Sequence, residues 1–291
     1  MAKQTKKSGG RNKVFQQNEE TPSMNMPGAP VSNVMRDDFG LDIPYESVPL
    51  PSMGRIYPTD HPLHNCETVE IRPMTAREED ILTSRALIKK GTVITHLLES
   101  CIVDKNVKAN DLIVGDRNAL MIALRITGYG ADYKAEIQCP ECSVSTKYEF
   151  DLSEMPINRL GADPDQPGEN TFTFELPYTK KKVKFKFLTG LDEEELQRTE
   201  SRRKKMGQLA ENNVTTRLEH AIIEIAGVTD RSKINNFIRN MPARDSRMLR
   251  KYIDDIEPGI DLTAWFDCPA CGEGSELGVP LGVSFFWPDA E

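Results

Sequence analysis

The 291-residue chain has no uninterrupted apolar run of membrane-spanning length, and no apolar stretch follows its basic first residues. The first absence speaks against a spanning helix, and the second makes export unexpected. Histidines number only four, and the chain carries no P-loop, GxSxG, HExxH or dinucleotide fingerprint. Without such constellations no catalytic site is legible, and no enzyme activity is expected. Cysteines are also few, six in all, so the chain is not a disulfide scaffold. In a reducing compartment cysteine pairs serve better as metal ligands.

Four of the six cysteines form two matched steps, Cys139-Pro-Glu-Cys142 and Cys268-Pro-Ala-Cys271. Two thiolates on one tight turn can reach the same ion, and tetrahedral zinc takes four. Four thiolates leave no open coordination position, so such a zinc is structural. A redox reading needs a single CxxC opening a helix after a strand, whereas both motifs here lie between strand-like runs. Of the two remaining cysteines, Cys101 falls on an apolar helical stripe and reads as a small buried hydrophobe. Cys66 follows His61 and His64, but no further ligand type is near, and the three read as polar loop residues.

The net charge of −8 hides an asymmetry. Lys3, Lys6, Lys7, Arg11 and Lys13 face no acid within residues 1–18, and the remainder holds 32 basic against 45 acidic residues. A basic tail on an acidic body fits docking on an acidic surface. The body is too acidic for nucleic-acid binding to lead. The acidic run Asp192 to Glu195 opens a helix whose second half carries Arg202, Arg203, Lys204 and Lys205. That order complements the helix dipole and requires no active site.

Residues 1–42 are polar and aperiodic, and read as a disordered or extended arm. From Ile43 to Tyr57 the prolines 44, 49 and 51 leave few ladder donors, so the segment reads as a strap along another surface. A strand is expected near 67–74, and Thr75 with Glu78 forms a capping box for a helix ending at Gly91. Further helices are expected at 93–103 and after Asp116 as N-cap, then a hairpin around Cys139. After a Pro/Gly/Asp-rich break at 161–170, alternating runs ending at Leu176 and Phe187 predict a second hairpin. Helices at 192–209, 214–226, 233–240 and 246–256 then lead to the second knuckle. Phe285, Phe286 and Trp287 are expected to pack back on the second half.

The two halves correspond in order. IRPMTAREEDIL at 71–82 matches FKFLTGLDEEEL at 185–196, and THLLESCIVD at 95–104 matches the helix containing TTRLEHAIIEI. From Asp116 and Asp245 onward the match needs no gap, and Cys139 falls on Cys268 and Cys142 on Cys271. The expected fold is α+β, two tandem repeated units of strand, helices and a CPxC β-hairpin behind an extended N-terminal arm. The boundaries are 1–42 for the arm, 43–160 for the first unit, 161–170 for a linker and 171–291 for the second, diverged unit. Each unit has two thiolates, so one structural zinc per chain, on Cys139, Cys142, Cys268 and Cys271, joins them.

LPSMGRIY at 50–57, VEIRPMTAREEDIL at 69–82 and GDRNALMIALRITGYGADYKAEIQCPEC at 115–142 resemble the baseplate hub-assembly proteins of T-even-type contractile-tailed bacteriophages. The likeness spans residues 50 to about 152, and the arm and second unit depart from it. The resemblance implies a non-enzymatic structural or assembly part of a contractile tail. It would sit in the virion tail baseplate, or act in the host cytoplasm during assembly. Other baseplate, hub and tail proteins would be its partners, bound through the arm and Pro-rich strap. The other reading is a zinc-ribbon nucleic-acid-binding regulator, which requires a basic face near the knuckles.

Overall fold

The computed structural model describes residues 34–36, 42–205, 213–279 and 283–286, and the fold there is mixed α/β. Most of the expected arm, the end of the helix beyond Lys205, and Trp287 lie outside the described residues. Strand β1 (Val34–Arg36) pairs antiparallel with β2 (Asp42–Pro44). Next, β3 (Glu46–Pro49) pairs with β4 (Thr68–Ile71), placing Val48 opposite Val69. The start of the expected strap thus builds a ladder after all. Pro49 stands at the strand's last position, where a missing donor is tolerated.

Helices α1 (Ala76–Thr83) and α2 (Arg85–Lys90) replace the single helix expected to Gly91. Ser84, in extended backbone, ends one and starts the other. Gly91 closes α2 in the left-handed conformation, as glycine does best. Helix α3 (Val93–Cys101) buries Val93, Leu97, Leu98 and Cys101, the expected stripe. Helix α4 (Val114–Tyr129) begins three residues earlier than expected, with Ile113 at its N-cap. Asp116 is therefore not the cap; it is the third helical residue, and its carboxylate reaches outward to another segment. Strands β5 (Asp132–Gln138) and β6 (Ser145–Asp151) form a seven-pair hairpin around the first CPxC, followed by short β7 (Ile157–Asn158).

Residues 161–170 contain neither helix nor strand. Beyond them β8 (Phe172–Glu175) and β9 (Lys182–Phe185) form a hairpin that leads into α5 (Gly190–Lys205) and α6 (Asn213–Ala221). The helix expected to reach 226 stops at Ala221. Its remainder, Ile222–Ile225, is strand β10 on the outer edge of β9. Three isoleucines in four residues are stiff at χ1 and favour the pleated surface. Helices α7 (Arg231–Arg239) and α8 (Ala243–Ile256) follow, then β11 (Gly259–Ile260) against β7, and the hairpin of β12 (Thr263–Asp267) and β13 (Gly274–Gly278).

The buried apolar residues form two clusters, and the chain crosses between them. One gathers β3, β4, α1, α3, α4 and the β5–β6 hairpin, and also Phe266, Cys268, Val279, Phe285 and Phe286. The other gathers β8 to β10 and α6 to α8, together with Ile56, Ile113 and Leu160. Phe285 and Phe286 are fully buried. They pack on the first cluster rather than the second, with Phe285 edge-on to Tyr133 at 5.0 Å and its carbonyl accepting from Arg125 at 2.9 Å. Burying side chains of this size contributes roughly 1.5–3 kcal/mol each.

Candidate metal centre

Each CPxC turn is shaped by two backbone bonds. Cys139 donates its N–H to Val144 and accepts from Ser143, at 3.0 and 2.9 Å. In the second hairpin Cys268 donates to Glu273 and accepts from Gly272, at 3.0 and 2.8 Å. Ser143 and Gly272 occupy equivalent places and both have positive φ, 58° and 76°. This loop points both thiols of a pair to one side, as a shared ion requires.

The two hairpins lie against each other. Tyr148 of β6 donates its hydroxyl to the Trp265 carbonyl of β12 at 3.2 Å, and its ring meets Phe266 edge-on at 5.2 Å. At the turns the four thiols converge, with Cys139 and Cys271 sulfurs 3.8 Å apart and those of Cys142 and Cys268 3.7 Å apart. All four lie within 4.8 Å of one another. A tetrahedron with zinc–sulfur bonds of about 2.3 Å has sulfurs about 3.8 Å apart. The spacing therefore fits a four-thiolate metal site. Cys139 and Cys268 are buried, Cys142 half-buried and Cys271 exposed. Backbone N–H groups of Cys271 and, more weakly, Ala270 bring the Cys268 thiol down to about 7. At Cys271 a backbone bond at Glu273 lowers the value, but partial desolvation by the neighbouring hairpin and the neighbouring thiols raise it to about 12. Such a set favours one thiolate easily, and a cation is what would favour all four.

Among the described residues this is the one metal-competent group of three or more ligands. His61, His64 and Cys66 do not join it. His64 Nδ1 pairs with the Tyr57 carbonyl at 2.7 Å, His61 Nδ1 accepts from Leu63 at 3.1 Å, and Cys66 points at the Pro62 carbonyl. His220 lies 3.9 Å from Asp192.

Away from the thiol cluster, two sets of buried acids anchor loops in the same manner. Asp116 accepts from the Ser52 N–H at 3.0 Å, the Ser52 hydroxyl at 2.6 Å and the Tyr57 hydroxyl at 2.6 Å. The string LPSMGRIY is thus a turn latched to α4. Gly54 in it has φ of 69°, and a Cβ there would meet the Leu63 carbonyl at 2.3 Å. Asp245, third residue of α8, accepts from the N–H groups of Tyr178 and Thr179 at 2.7 and 3.0 Å. Likewise Glu78 takes Thr75 N–H and hydroxyl and pairs with Arg72 at 2.6 Å. Asp192 takes Thr189 N–H and hydroxyl and pairs with Lys186 at 2.7 Å. Sequence reading aligned these residues but did not show that Asp116 and Asp245 face outward onto loops. An acid at the third helical position, three residues inside rather than at the cap, was the available signal.

Fold and site together define a mixed α/β protein whose two CPxC hairpins meet in a four-thiol cluster. The chain belongs to the family described as T4 bacteriophage base plate protein, whose profile matches residues 46–287. That span takes in both hairpins, so the second half, expected to depart from the family, lies within it. Membership gives the protein a structural role in a phage tail baseplate, with other tail proteins as neighbours. No curated protein and no solved structure matches the chain. Among the described residues no helix is long and apolar enough to cross a membrane.

Proposed function

We propose that the protein is a non-enzymatic baseplate or hub component that fixes the angle between neighbouring tail proteins, with zinc as its internal joint. The carrying observation is the thiol cluster, in which Cys139 and Cys142 meet Cys268 and Cys271 at tetrahedral spacing. One zinc per chain would be held by these four residues. Bound there, the metal supplies closed coordination, which locks geometry and leaves no position for substrate. The residues themselves hold the hairpins side by side through Tyr148, Trp265 and Phe266.

The joint links two tandem units, 43–160 and 171–291, across the 161–170 linker. Several recurrences support the duplication. Arg72 donates its N–H to the Cys101 carbonyl, and Lys186 to that of Ala221. The Ile71–Ile102 bridge has its counterpart in Phe185 opposite Ile222. The basic–acidic pairs are six residues apart in both halves, and α4 and α8 each place an aspartate at their third position. In this reading the arm, 1–42, reaches neighbouring subunits, while the strap is held in this chain's own core by β4 and Asp116.

The zinc-ribbon nucleic-acid reading is disfavoured by the knuckle tips, where Glu141, Asp267 and Glu273 are exposed. Mass spectrometry of purified tails, with metal analysis of the purified chain, tests the proposal. Presence in tails or assembly intermediates and one zinc per chain are expected. Two zincs, or none, would refute the shared joint.

A further inference from the structure

Two basic runs that look unremarkable singly converge on one groove. Lys89 and Lys90 end α2, and Arg198 and Arg202 lie in the second half of α5. Each run complements its own helix dipole. The fold nevertheless sets them face to face around a groove of about 490 Å³. Gly91, left-handed at φ 73°, turns the chain at the groove's edge, where a Cβ would come within 2.7 Å of Gln197 Oε1. Arg198 is paired with Glu194 at 3.0 Å. Among the described residues Lys89, Lys90 and Arg202 have no acidic partner, and all three are exposed. Three exposed cations without acidic partners around one groove make a local positive site on a chain of net charge −8, complementary to an anionic ligand. Ile88, 42% exposed, lines the same groove and adds an aliphatic contact.

We infer that this groove docks an acidic polypeptide segment of a neighbouring tail protein, carrying at least two carboxylates beside an aliphatic side chain. The inference rests on the baseplate reading. A nucleic-acid strand fits less well, because no aromatic side chain lines the groove for base stacking. The surrounding body is acidic as well, and repels a long polyanion. Carboxylates gain from the guanidinium of Arg202, whose planar fork matches them in two bonds.

Zero-length carbodiimide cross-linking of assembling tails, read by peptide mass spectrometry, tests this directly. Lys89 or Lys90 should be joined to Asp or Glu of another tail polypeptide. Arg202→Glu, an exposed change that keeps both lysines, should reduce those links about tenfold, as loss of a close charge pair would, with melting unchanged. Links from Lys89 and Lys90 confined to this chain, while its other lysines reach tail proteins, would overturn the groove and leave the baseplate reading intact. If no lysine of this chain reaches any tail protein, the groove and the proposed positioning of neighbouring tail proteins both fall. Retention of single-stranded DNA at physiological salt by the purified chain, lost in Arg202→Glu, would reassign the groove to nucleic acid and overturn the proposal.

Discussion

Asp116 holds Ser52 by two hydrogen bonds, from the N–H at 3.0 Å and the hydroxyl at 2.6 Å, across 64 residues of chain. Tyr57 adds a third donor to the same carboxylate. Burial raises the Asp116 carboxyl above its usual range, against these three donors and Arg159, so the donors are what keep a carboxylate tenable there. Asp116→Ala strands three buried polar groups and should cost about 3 kcal/mol in urea unfolding. Asp245→Ala removes an acceptor from two backbone N–H groups nearer the surface and should cost about 1 kcal/mol. Equal losses in the two variants would contradict this account of the latch.

The thiol cluster makes a stronger demand. Structural zinc contributes on the order of 10 kcal/mol in small zinc-binding peptides, which is comparable to the whole stability of a typical domain. Cys139→Ser and Cys268→Ser should each lose the metal and lower the melting temperature alike, because either change opens the same site. Chelation of the unaltered protein should produce the same shift, reversed by zinc and not by magnesium, a hard cation that prefers oxygen ligands. Unchanged melting in both variants would end the joint hypothesis.

The parts legible in sequence were those encoded locally. The stripe of Val93, Leu97, Leu98 and Cys101 has helical spacing, Gly91 marks a helix end, and the CPxC steps mark tight turns between alternating strands. What escaped depends on distant partners. Ile222–Ile225 carries no break from the preceding helix, and only an open edge on β9 makes it a strand. Pro49 disfavours a ladder until β4 supplies one whose last pair needs no donor from it. The crossing of Phe266, Phe285 and Phe286 into the first core was invisible, because an apolar residue does not announce which apolar surface it meets. The two CPxC pairs were readable from spacing alone, while the convergence of their four thiols had to come from the fold.

Gly115 identifies the closest approach between α4 and the segment after α8. A Cβ at this position would lie 1.8 Å from the Pro258 carbonyl oxygen and 3.0 Å from the Gly259 Cα. Both are backbone atoms and cannot rotate away. Gly115→Ala should therefore force β11 off β7 and cost about 3 kcal/mol, at the upper end of overpacking penalties. Gly272→Ala provides the contrast: its Cβ meets nothing within 4 Å, and only its φ of 76° is penalised. That change should cost about 1 kcal/mol. Thermal unfolding of both variants distinguishes a closed contact from a strained turn, and a harmless Gly115→Ala would show that the contact yields.

Glu257 gives stability a pH dependence of unusual sign for a carboxylate. Burial chiefly pushes its carboxyl up to about 7; Arg217 opposes this, and Asp254 and Glu193 add to it. Between the ordinary 4.5 and about 7 the folded chain keeps a proton that the unfolded chain has released. The contribution of this group is thus fully present below pH 4.5 and is lost as pH rises to about 7. His61, lowered mainly by burial, acts in the opposite direction over part of this window, but it is common to variant and parent. Glu78 and Asp192, held low by Arg72 and Lys186 against burial, lose their contributions only in more acidic solution. Glu257→Gln cannot ionise, so its stability relative to the parent should grow between pH 5 and pH 8, read as urea midpoints at the two values. A constant difference across that range would mean that Glu257 titrates like an exposed glutamate, and that the Arg217 side chain has already neutralised its burial.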